Sequence, residues 1–359
     1  MKQYYPSLDG LRSIAVGIVL LAHAGFPYPK SGGVGVDIFF VLSGFLITSI
    51  LSHESQATGC ISRKNFYVRR LLRLTPCLVV TIILFSIIFT MKHGSFPTDI
   101  VLISITYTAN WARALFDYEL GSMSHCWSLA IEEQYYLIWP FIIIFLDKSS
   151  TNEKKKFLFL LAIGLSLAVY RSVFAFSGTF NMGRIYFGLD THMDGLVIGS
   201  SLSYLVMFVR KSTHDFSRVF MFLSRILLPG AILGLLVLMY LITWMNPWMG
   251  KLGFLLVALA TSVIILDLVL SPKSLIRGIL SNSILVYIGR ISYGLYLLHF
   301  PLYNLVDFIA PEIDFSAKAT LKLLLSQIYV SSDGGWPKGK HGRNLLRSGI
   351  SSLERTGQA

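Results

Sequence analysis

Apolar runs long enough to cross a lipid bilayer recur along most of the chain, and this pattern constrains its fold more than any other feature. A spanning helix needs about 20 predominantly apolar residues, because backbone polar groups in hydrocarbon must be satisfied within the segment. Of the 359 residues, 54% are apolar and only 14% are charged, whereas a soluble domain carries about 25% charged residues. The sequence therefore predicts an all-α polytopic membrane protein.

The apolar runs predict about ten membrane-spanning helices. They lie near residues 11–28, 34–51, 75–91, 128–146, 157–176, 191–209, 226–245, 249–270, 283–309 and 318–330. The segment 97–111 is apolar but short, and counting it as a span would move the lysines at 154–156 to the opposite side. We expect it to be re-entrant or interfacial. No cleavage site follows the first apolar run, so we expect that helix to remain as an anchor.

The cationic residues indicate an orientation, because cytoplasmic loops are enriched in lysine and arginine. A cytoplasmic N-terminus places the clusters at 63–73, 154–156, 210–225 and 273–277 inside, and leaves few cations in the outer loops. The net charge of +12 is then explained by cationic cytoplasmic loops that lie next to membrane lipids. It does not indicate a nucleic-acid partner.

The apolar pattern stops inside the last predicted span. Only about 13 residues (KATLKLLLSQIYV) remain for that helix, and the following tail is polar, basic and rich in glycine. We divide the chain into a membrane domain at 1–330 and a tail at 331–359. Two interpretations stay open: a disordered cytoplasmic tail, or a replaced segment that cuts the last helix short.

Ionisable residues within membrane helices cost several kcal/mol unless paired or hydrated, so each is a candidate for function. Arg12 and His23 are eleven residues apart in the first span, about 16 Å along a helix with a rise of 1.5 Å per residue. Eleven residues make almost three turns, so both side chains face a similar direction and can line one channel. The simpler interpretation is an arginine snorkelling to headgroups and a histidine bonded to a neighbouring carbonyl.

Carboxylates also occur within predicted spans. Asp37 opens the second span, and Glu132 and Glu133 lie inside the fourth. Adjacent helix positions point about 100° apart, so at most one of the two glutamates faces a given cavity. Asp37 or Glu132 can hold a histidine tautomer or accept a hydrogen bond from a hydroxyl. Trp127, near the start of the fourth span, is expected at the outer interface.

An arginine set precedes the third span in the stretch FYVRRLLRLTP. Arg70 and Arg73 are i and i+3 neighbours on one helix face, and Arg69 adjoins them. The forked guanidinium group suits phosphate, so the set indicates a phosphate-bearing ligand. Anchoring at a cytoplasmic helix end is the alternative.

Histidine and acidic residues gather near the predicted outer ends of two later spans. Asp190, His192 and Asp194 are spaced by two, which does not place them on one helix face, and we predict no metal site. His299 is a second deep histidine, with Tyr293 below it on the same helix.

Six stretches resemble, in order, the acyltransferase 3 family of bacterial membrane acyltransferases. They are DGLR with Arg12-x10-His23, GVDIFFVLSGFLI, FYVRRLLRLTP, WSLAIEEQYYLIWP, RIYFGLDTHMDGLVIG and ISYGLYLLHFPL. The resemblance covers residues 5 to about 310 and departs from the family beyond 330. It implies transfer of an acyl group, usually acetyl, from cytoplasmic acyl-CoA to a sugar hydroxyl at the outer side of the bacterial inner membrane.

The resemblance gives the polar residues expected roles. His23 is expected to be the general base for the acceptor hydroxyl, or a residue that is transiently acylated, and the expected catalytic residues are His23, Glu132 and Asp37. Acetyl-CoA is expected as a donor substrate, with no permanently bound cofactor. The expected donor-binding residues are Arg12, Arg69, Arg70 and Arg73. The expected acceptor-binding residues are Glu133, Trp127, Asp194, Tyr293 and His299.

The expected acceptor is a saccharide of a surface polysaccharide such as O-antigen. This saccharide can be linked to a lipid. The absence from this sequence of the extra periplasmic domain that some family members carry favours O-antigen over peptidoglycan. Two other functions stay open: a transporter or flippase of a lipid-linked saccharide, and an inactive family member with an incomplete last helix. The arginine set favours the acyltransferase, because it suits a nucleotide-like ligand.

Overall fold

The computed structural model describes residues 4–150, 152–243, 245–272, 274–313 and 317–323, and the side chains of all of these except 214–216. The described residues form helices joined by loops. In chain order the α-helices are α1 (Pro6–Ala24), α2 (Gly33–Thr58), α3 (Arg63–His93), α4 (Thr98–Ile105), α5 (Ala109–Phe116), α6 (Cys126–Ser149), α7 (Glu153–Ser177), α8 (Met182–Phe187), α9 (Leu189–His192), α10 (Asp194–Lys211), α11 (His214–Leu241), α12 (Phe254–Leu270), α13 (Leu275–Leu280) and α14 (Ser283–Ile309). A short 3₁₀ helix, Gly121–Met123, precedes α6, and a π-helical turn, Met249–Gly253, leads into α12.

Eight helices of the described residues are long and apolar enough to cross a membrane, which confirms the predicted all-α polytopic fold. They are α1, α2, α3, α6, α7, α11, α14, and α12 together with its π-helical turn. The predicted span 191–209 corresponds to α10, which is 18 residues long and not among the eight; it carries Asp194, Arg210 and Lys211. Of the predicted span 318–330, residues 318–323 are helical; the rest, like the tail at 331–359, lies outside the described residues.

The segment 97–111, expected to be re-entrant or interfacial, forms α4 and the beginning of α5. Each of these helices has eight residues, about 12 Å at 1.5 Å per residue. Neither can cross a bilayer, and Tyr107 between them has a positive φ of 53°.

Helices α1 and α14 run parallel and touch along their length. At one end, a Cβ atom added to Gly289 would lie 1.8 Å from the carbonyl oxygen of Asp9. At the other end, His23 and His299 are hydrogen-bonded. Only glycine permits such a close backbone approach, which is a common use of small residues between membrane helices. The contact holds the two histidine-bearing helices together.

Ion pairs bring the cationic ends of several helices to the end of the bundle where α1 begins, which we call the Arg12 end. These pairs join α3 to α2, α7 to α6, and α10 to α7. They are Arg69–Glu54, Lys156–Asp147 and Lys211–Glu153. The opposite end, where α1 finishes, is called the His23 end.

Candidate active site

Three histidines from three helices meet at the His23 end. His23 lies in the last turn of α1, His299 lies in α14, and His125 caps the start of α6. Nδ1 of His23 and Nε2 of His299 are 3.0 Å apart, and the ring centroids of His125 and His299 are 5.3 Å apart. His125 and His299 are buried, whereas His23 is exposed. One imidazole of the three is therefore accessible from outside the helix bundle.

A carbonyl group that a proline leaves unbonded fixes His125. Pro301 lies inside α14 and has no N–H, so the carbonyl of Leu297, four residues earlier, lacks its helical donor. Nε2 of His125 is 2.9 Å from that oxygen. A carbonyl only accepts, so this nitrogen carries a hydrogen. The His-Phe-Pro sequence at 299–301 thus provides one buried histidine and a hydrogen-bond acceptor for another.

A narrow cavity extends from Arg12 to Tyr296, and none of the three histidines lines it. Its lining includes Arg12, Glu132, Ser128, Tyr293 and Tyr296. Tyr296 lies about one turn before the deep histidine of α14, and its hydroxyl is 2.5 Å from that of Ser128. The cavity holds about 60 Å³, room for a few water molecules. Arg12 therefore shares a cavity with Tyr296, whose ring centroid lies 5.6 Å from that of His299.

The two adjacent glutamates of α6 have different partners. Glu132 faces the cavity, where Ser43 donates to its Oε1 atom at 2.9 Å and Tyr136 donates to its Oε2 atom at 3.1 Å. Oε1 of Glu133 lies 3.7 Å from Nη2 of Arg70. The Arg70 guanidinium also lies over the Tyr136 ring, 3.5 Å from its centroid. Of the two glutamates only Glu132 lines the cavity, in accord with their helical spacing.

The predicted arginine set divides into two parts. The positive charges of Arg12, Arg70 and Arg73 are close enough to interact, and those of Arg12 and Arg70 also act on Glu132. Arg69 is 55% exposed and pairs with Glu54 at 3.6 Å. Arg12 therefore lines the cavity, with Arg70 and Arg73 near it, whereas Arg69 forms a surface ion pair.

A second cavity, of about 360 Å³, lies at the Arg12 end between α1, α2 and α10. Its polar and aromatic lining residues include Tyr4, Tyr5, Asp9, His53 and Arg210. On α2, Ser43 of the narrow cavity is followed at helical spacing by Leu46, Ile50 and His53 of the larger one, so these side chains share one helix face. The two cavities follow each other along α2.

Asp37 and Asp194 belong to a separate group of buried charges, the Asp37 network (Asp37, Arg171, His192, Asp194). Oδ1 of Asp37 lies 2.8 Å from Nε2 of His192, and Nη1 of Arg171 lies 2.5 Å from Oδ1 of Asp194. Each of the four residues is at most 4% exposed. The sequence-based hypothesis that Asp37 holds the tautomer of His23 does not describe this structure, because the partner of His23 is His299.

Phe40 and Trp127 lie between the Asp37 network and the narrow cavity, and both rings pack against His192. Trp127 is buried, its ring stacks on His192 with a centroid distance of 5.4 Å, and its edge packs against Phe40 at 6.1 Å. Phe40 in turn lines the cavity. Trp127, the second residue of α6, therefore packs inside the helix bundle, and its expected role in acceptor binding stays a prediction.

Some polar residues of these groups were not among the predicted site residues. Arg171 lies within the apolar run 157–176, so the cost of burying a charge in a membrane could have identified it. Ser43 and Ser128 carry no comparable signal, because serine is tolerated in membrane helices that pack closely.

Comparisons with known proteins agree on one family. The acyltransferase domain model, acyltransferase 3, matches residues 5–327. The peptidoglycan O-acetyltransferase OatA of Listeria monocytogenes is 35% identical over 315 residues, which cover 85% of this chain and 50% of that protein. The O-acetyltransferase OatA of Staphylococcus aureus is 32% identical over 316 residues, which cover 85% of this chain and 51% of that protein. The chain thus spans about half the length of these relatives. No solved structure matches it.

Proposed function

This chain belongs to the acyltransferase 3 family, and from that premise we propose that it transfers an acetyl group from acetyl-CoA to a sugar hydroxyl across a bacterial inner membrane. The observation that carries the proposal is the cavity that extends from Arg12, near two further arginines, to Tyr296. The Tyr296 ring packs against His299, the hydrogen-bond partner of the exposed His23. The Arg12 end faces the cytoplasm and the His23 end faces outward. The cationic clusters at the Arg12 end support this orientation.

The donor binds from the Arg12 end. Coenzyme A carries phosphate groups on its nucleotide and a long arm that ends in the thioester. Arg12, Arg70 and Arg73 offer guanidinium groups to the phosphates, and the neighbouring cavity of about 360 Å³ offers space for part of the nucleotide. Glu132 faces the path of the arm and accepts a hydrogen bond from an amide N–H. Because the narrow cavity holds only about 60 Å³, the helices must part to admit the arm.

The transfer takes place at the His23 end. His23 removes the proton of the acceptor hydroxyl while that oxygen attacks the thioester carbonyl carbon. The carbon–sulfur bond then breaks, the acetyl group stays on the sugar oxygen, and the thiol of coenzyme A leaves with the proton. A positioned base contributes about 10²- to 10⁴-fold to the rate. In the alternative route His23 attacks the thioester first and passes the acetyl group on.

The acceptor is a saccharide of the cell envelope. The Listeria relative is named for peptidoglycan, which supports glycan strands as the acceptor class and gives no support to the expected preference for O-antigen. Both glycans present sugar hydroxyls at the outer side of the membrane, so the same chemistry serves either. Isolated peptidoglycan strands and lipid-linked O-antigen are therefore the two acceptors to compare.

The experiment uses the full chain in membrane vesicles whose cytoplasmic side is accessible, with radiolabelled acetyl-CoA outside and acceptor glycan inside. We expect His23→Ala to lower acetylation of the acceptor by at least about 10²-fold. His93→Ala is the matched control, because His93 is an exposed histidine at the end of α3. Normal acetylation by His23→Ala at equal membrane abundance would contradict the proposal.

A binding measurement tests the donor half separately. Acetyl-CoA should raise the thermal unfolding temperature of the purified chain, and Arg70→Gln should remove this shift, whereas Arg69→Gln should preserve it. Saccharide movement without acetyl transfer would instead indicate the flippase. Binding of acetyl-CoA without any transfer by the unaltered chain would indicate the inactive family member.

A further inference from the structure

The hydrogen bonds of the histidine cluster determine which nitrogen of His23 is free to react. We propose that His299 is a positioning residue that fixes His23 in the tautomer with hydrogen on Nδ1 and a reactive lone pair on Nε2. The catalytic consequence rests on the proposed acetyl transfer, but the tautomer itself does not. This role differs from the acceptor binding expected of His299.

The chain of bonds begins at the backbone of α14. Nδ1 of His299 is 2.5 Å from the carbonyl oxygen of Tyr296 in the same helix. Because a carbonyl oxygen only accepts, Nδ1 of His299 carries a hydrogen. A neutral imidazole has one N–H and one lone pair, so Nε2 of His299 is an acceptor.

The surroundings of His299 favour a neutral imidazole. Its side chain is 0% exposed, and its two hydrogen-bond partners are a carbonyl group and another imidazole. No carboxylate of the described residues pairs with it, and burial of an unpaired charge is costly. The ring therefore presents a lone pair to its neighbour.

That neighbour is His23. Its Nδ1 atom lies 3.0 Å from Nε2 of His299 and must donate to it. Nε2 of His23 then keeps its lone pair, and no hydrogen bond of the described residues engages that atom.

The arrangement also accommodates the proton that His23 receives. When Nε2 of His23 takes the hydroxyl proton, the imidazolium still donates from Nδ1 to His299, and the bond becomes charge-assisted and stronger. A carboxylate orients the base of the serine-protease triad in a related way; here the orienting group is neutral. The same nitrogen is used if His23 carries the acetyl group, so the assignment holds for both routes.

The first test measures the tautomer directly. The full chain, labelled with ¹⁵N-histidine and held in lipid nanodiscs without substrate, should show for His23 a protonated Nδ1 and an unprotonated Nε2 in its nitrogen chemical shifts. His23→Ala assigns the signals. Protonation of His23 on Nε2 would overturn the proposal, whether or not the chain proves to be an acetyltransferase.

The second test compares two replacements of His299. His299→Gln retains an amide oxygen that can accept from Nδ1 of His23, whereas His299→Phe keeps an aromatic ring without an acceptor. We expect His299→Phe to lower kcat by about 10²-fold, with the thermal shift by acetyl-CoA unchanged and both His23 tautomers visible by NMR. His299→Gln should restore kcat to within about tenfold of the unaltered chain. Equal loss in the two variants, or no loss in His299→Phe, would refute the positioning role.

Discussion

The His23 end and the Asp37 network contain the same histidine arrangement with different partners. In each, a buried histidine (His299 or His192) places Nδ1 against a backbone carbonyl, at 2.5 and 2.6 Å respectively. Nε2 of each faces another titratable side chain, His23 at 3.0 Å and Asp37 at 2.8 Å. The partners differ in access, because Asp37 is 4% exposed whereas His23 is exposed.

Because of this difference, the Asp37 network is closed to a substrate, whereas the His23 end is open to one. With hydrogen on Nδ1, His192 bonds to Asp37 only if a proton lies between them, on the ring or on the carboxyl group. Arg171 balances Asp194, so the four residues of the network carry no net charge. The network can hold α2, α7 and α10 together, but it leaves no ring nitrogen for chemistry. At the His23 end, one nitrogen stays available.

The largest expected loss of stability comes from breaking the buried ion pair of the Asp37 network. Asp194→Ala leaves Arg171, which is 0% exposed, without its anion, and loss of one partner of a buried ion pair costs about 3–5 kcal/mol. Chemical unfolding of the purified chain in detergent measures this loss. The double variant Arg171→Met/Asp194→Leu should regain most of it, because replacing both partners by apolar residues is often close to neutral. Unchanged stability of Asp194→Ala would show that the network does not depend on this pair.

An intermediate effect is expected at Asp37. Asp37→Asn can donate an amide hydrogen to Nε2 of His192 and should be nearly as stable as the unaltered chain. Asp37→Leu leaves that buried nitrogen unpartnered and should lose about 1–3 kcal/mol. The same unfolding assay separates the two variants.

Asp37→Asn also tests the catalytic role predicted for Asp37 from the sequence. If Asp37 only closes the network, acetyl transfer by Asp37→Asn stays close to that of the unaltered chain. A loss of transfer far greater than the loss of folded protein would instead place Asp37 in the chemistry.

The smallest expected effect concerns the exposed ion pair of Arg69 and Glu54, the surface counterpart of the buried Arg171 pair. Arg69→Gln should change the free energy of unfolding by at most about 1 kcal/mol, and less at high salt because the charges are screened. Arg70→Gln is the matched variant, since Arg70 is only 15% exposed and pairs with Glu133. A larger loss of stability from Arg69→Gln than from Arg70→Gln would contradict the prediction that the more buried ion pair contributes more to the free energy of unfolding.

Eight of the ten predicted spans and the polar positions could be predicted from the sequence, because hydrophobic length and the cost of burying charge are local properties. Arg12 and Glu132, each selected from the sequence as a candidate, both line the narrow cavity, whereas His23, expected to share a channel with Arg12, does not. The hydrogen-bond partner of each polar side chain could not be predicted in the same way. Whether Asp37 meets His23 or His192, which is 155 residues away in sequence, depends on how separate helices pack. Helical periodicity in one sequence does not contain that information, and the catalytic roles of Glu132 and Asp37 stay predictions.

The contact between Gly289 and the backbone of Asp9 affects how mutants of this protein should be interpreted. Any larger residue at 289 forces α1 and α14 apart, ten residues before His299, about 15 Å along the helix. Inactive alleles can therefore arise at a position that takes no part in the reaction. In a genetic screen such alleles would suggest a second catalytic centre, although they report only the spacing between two helices.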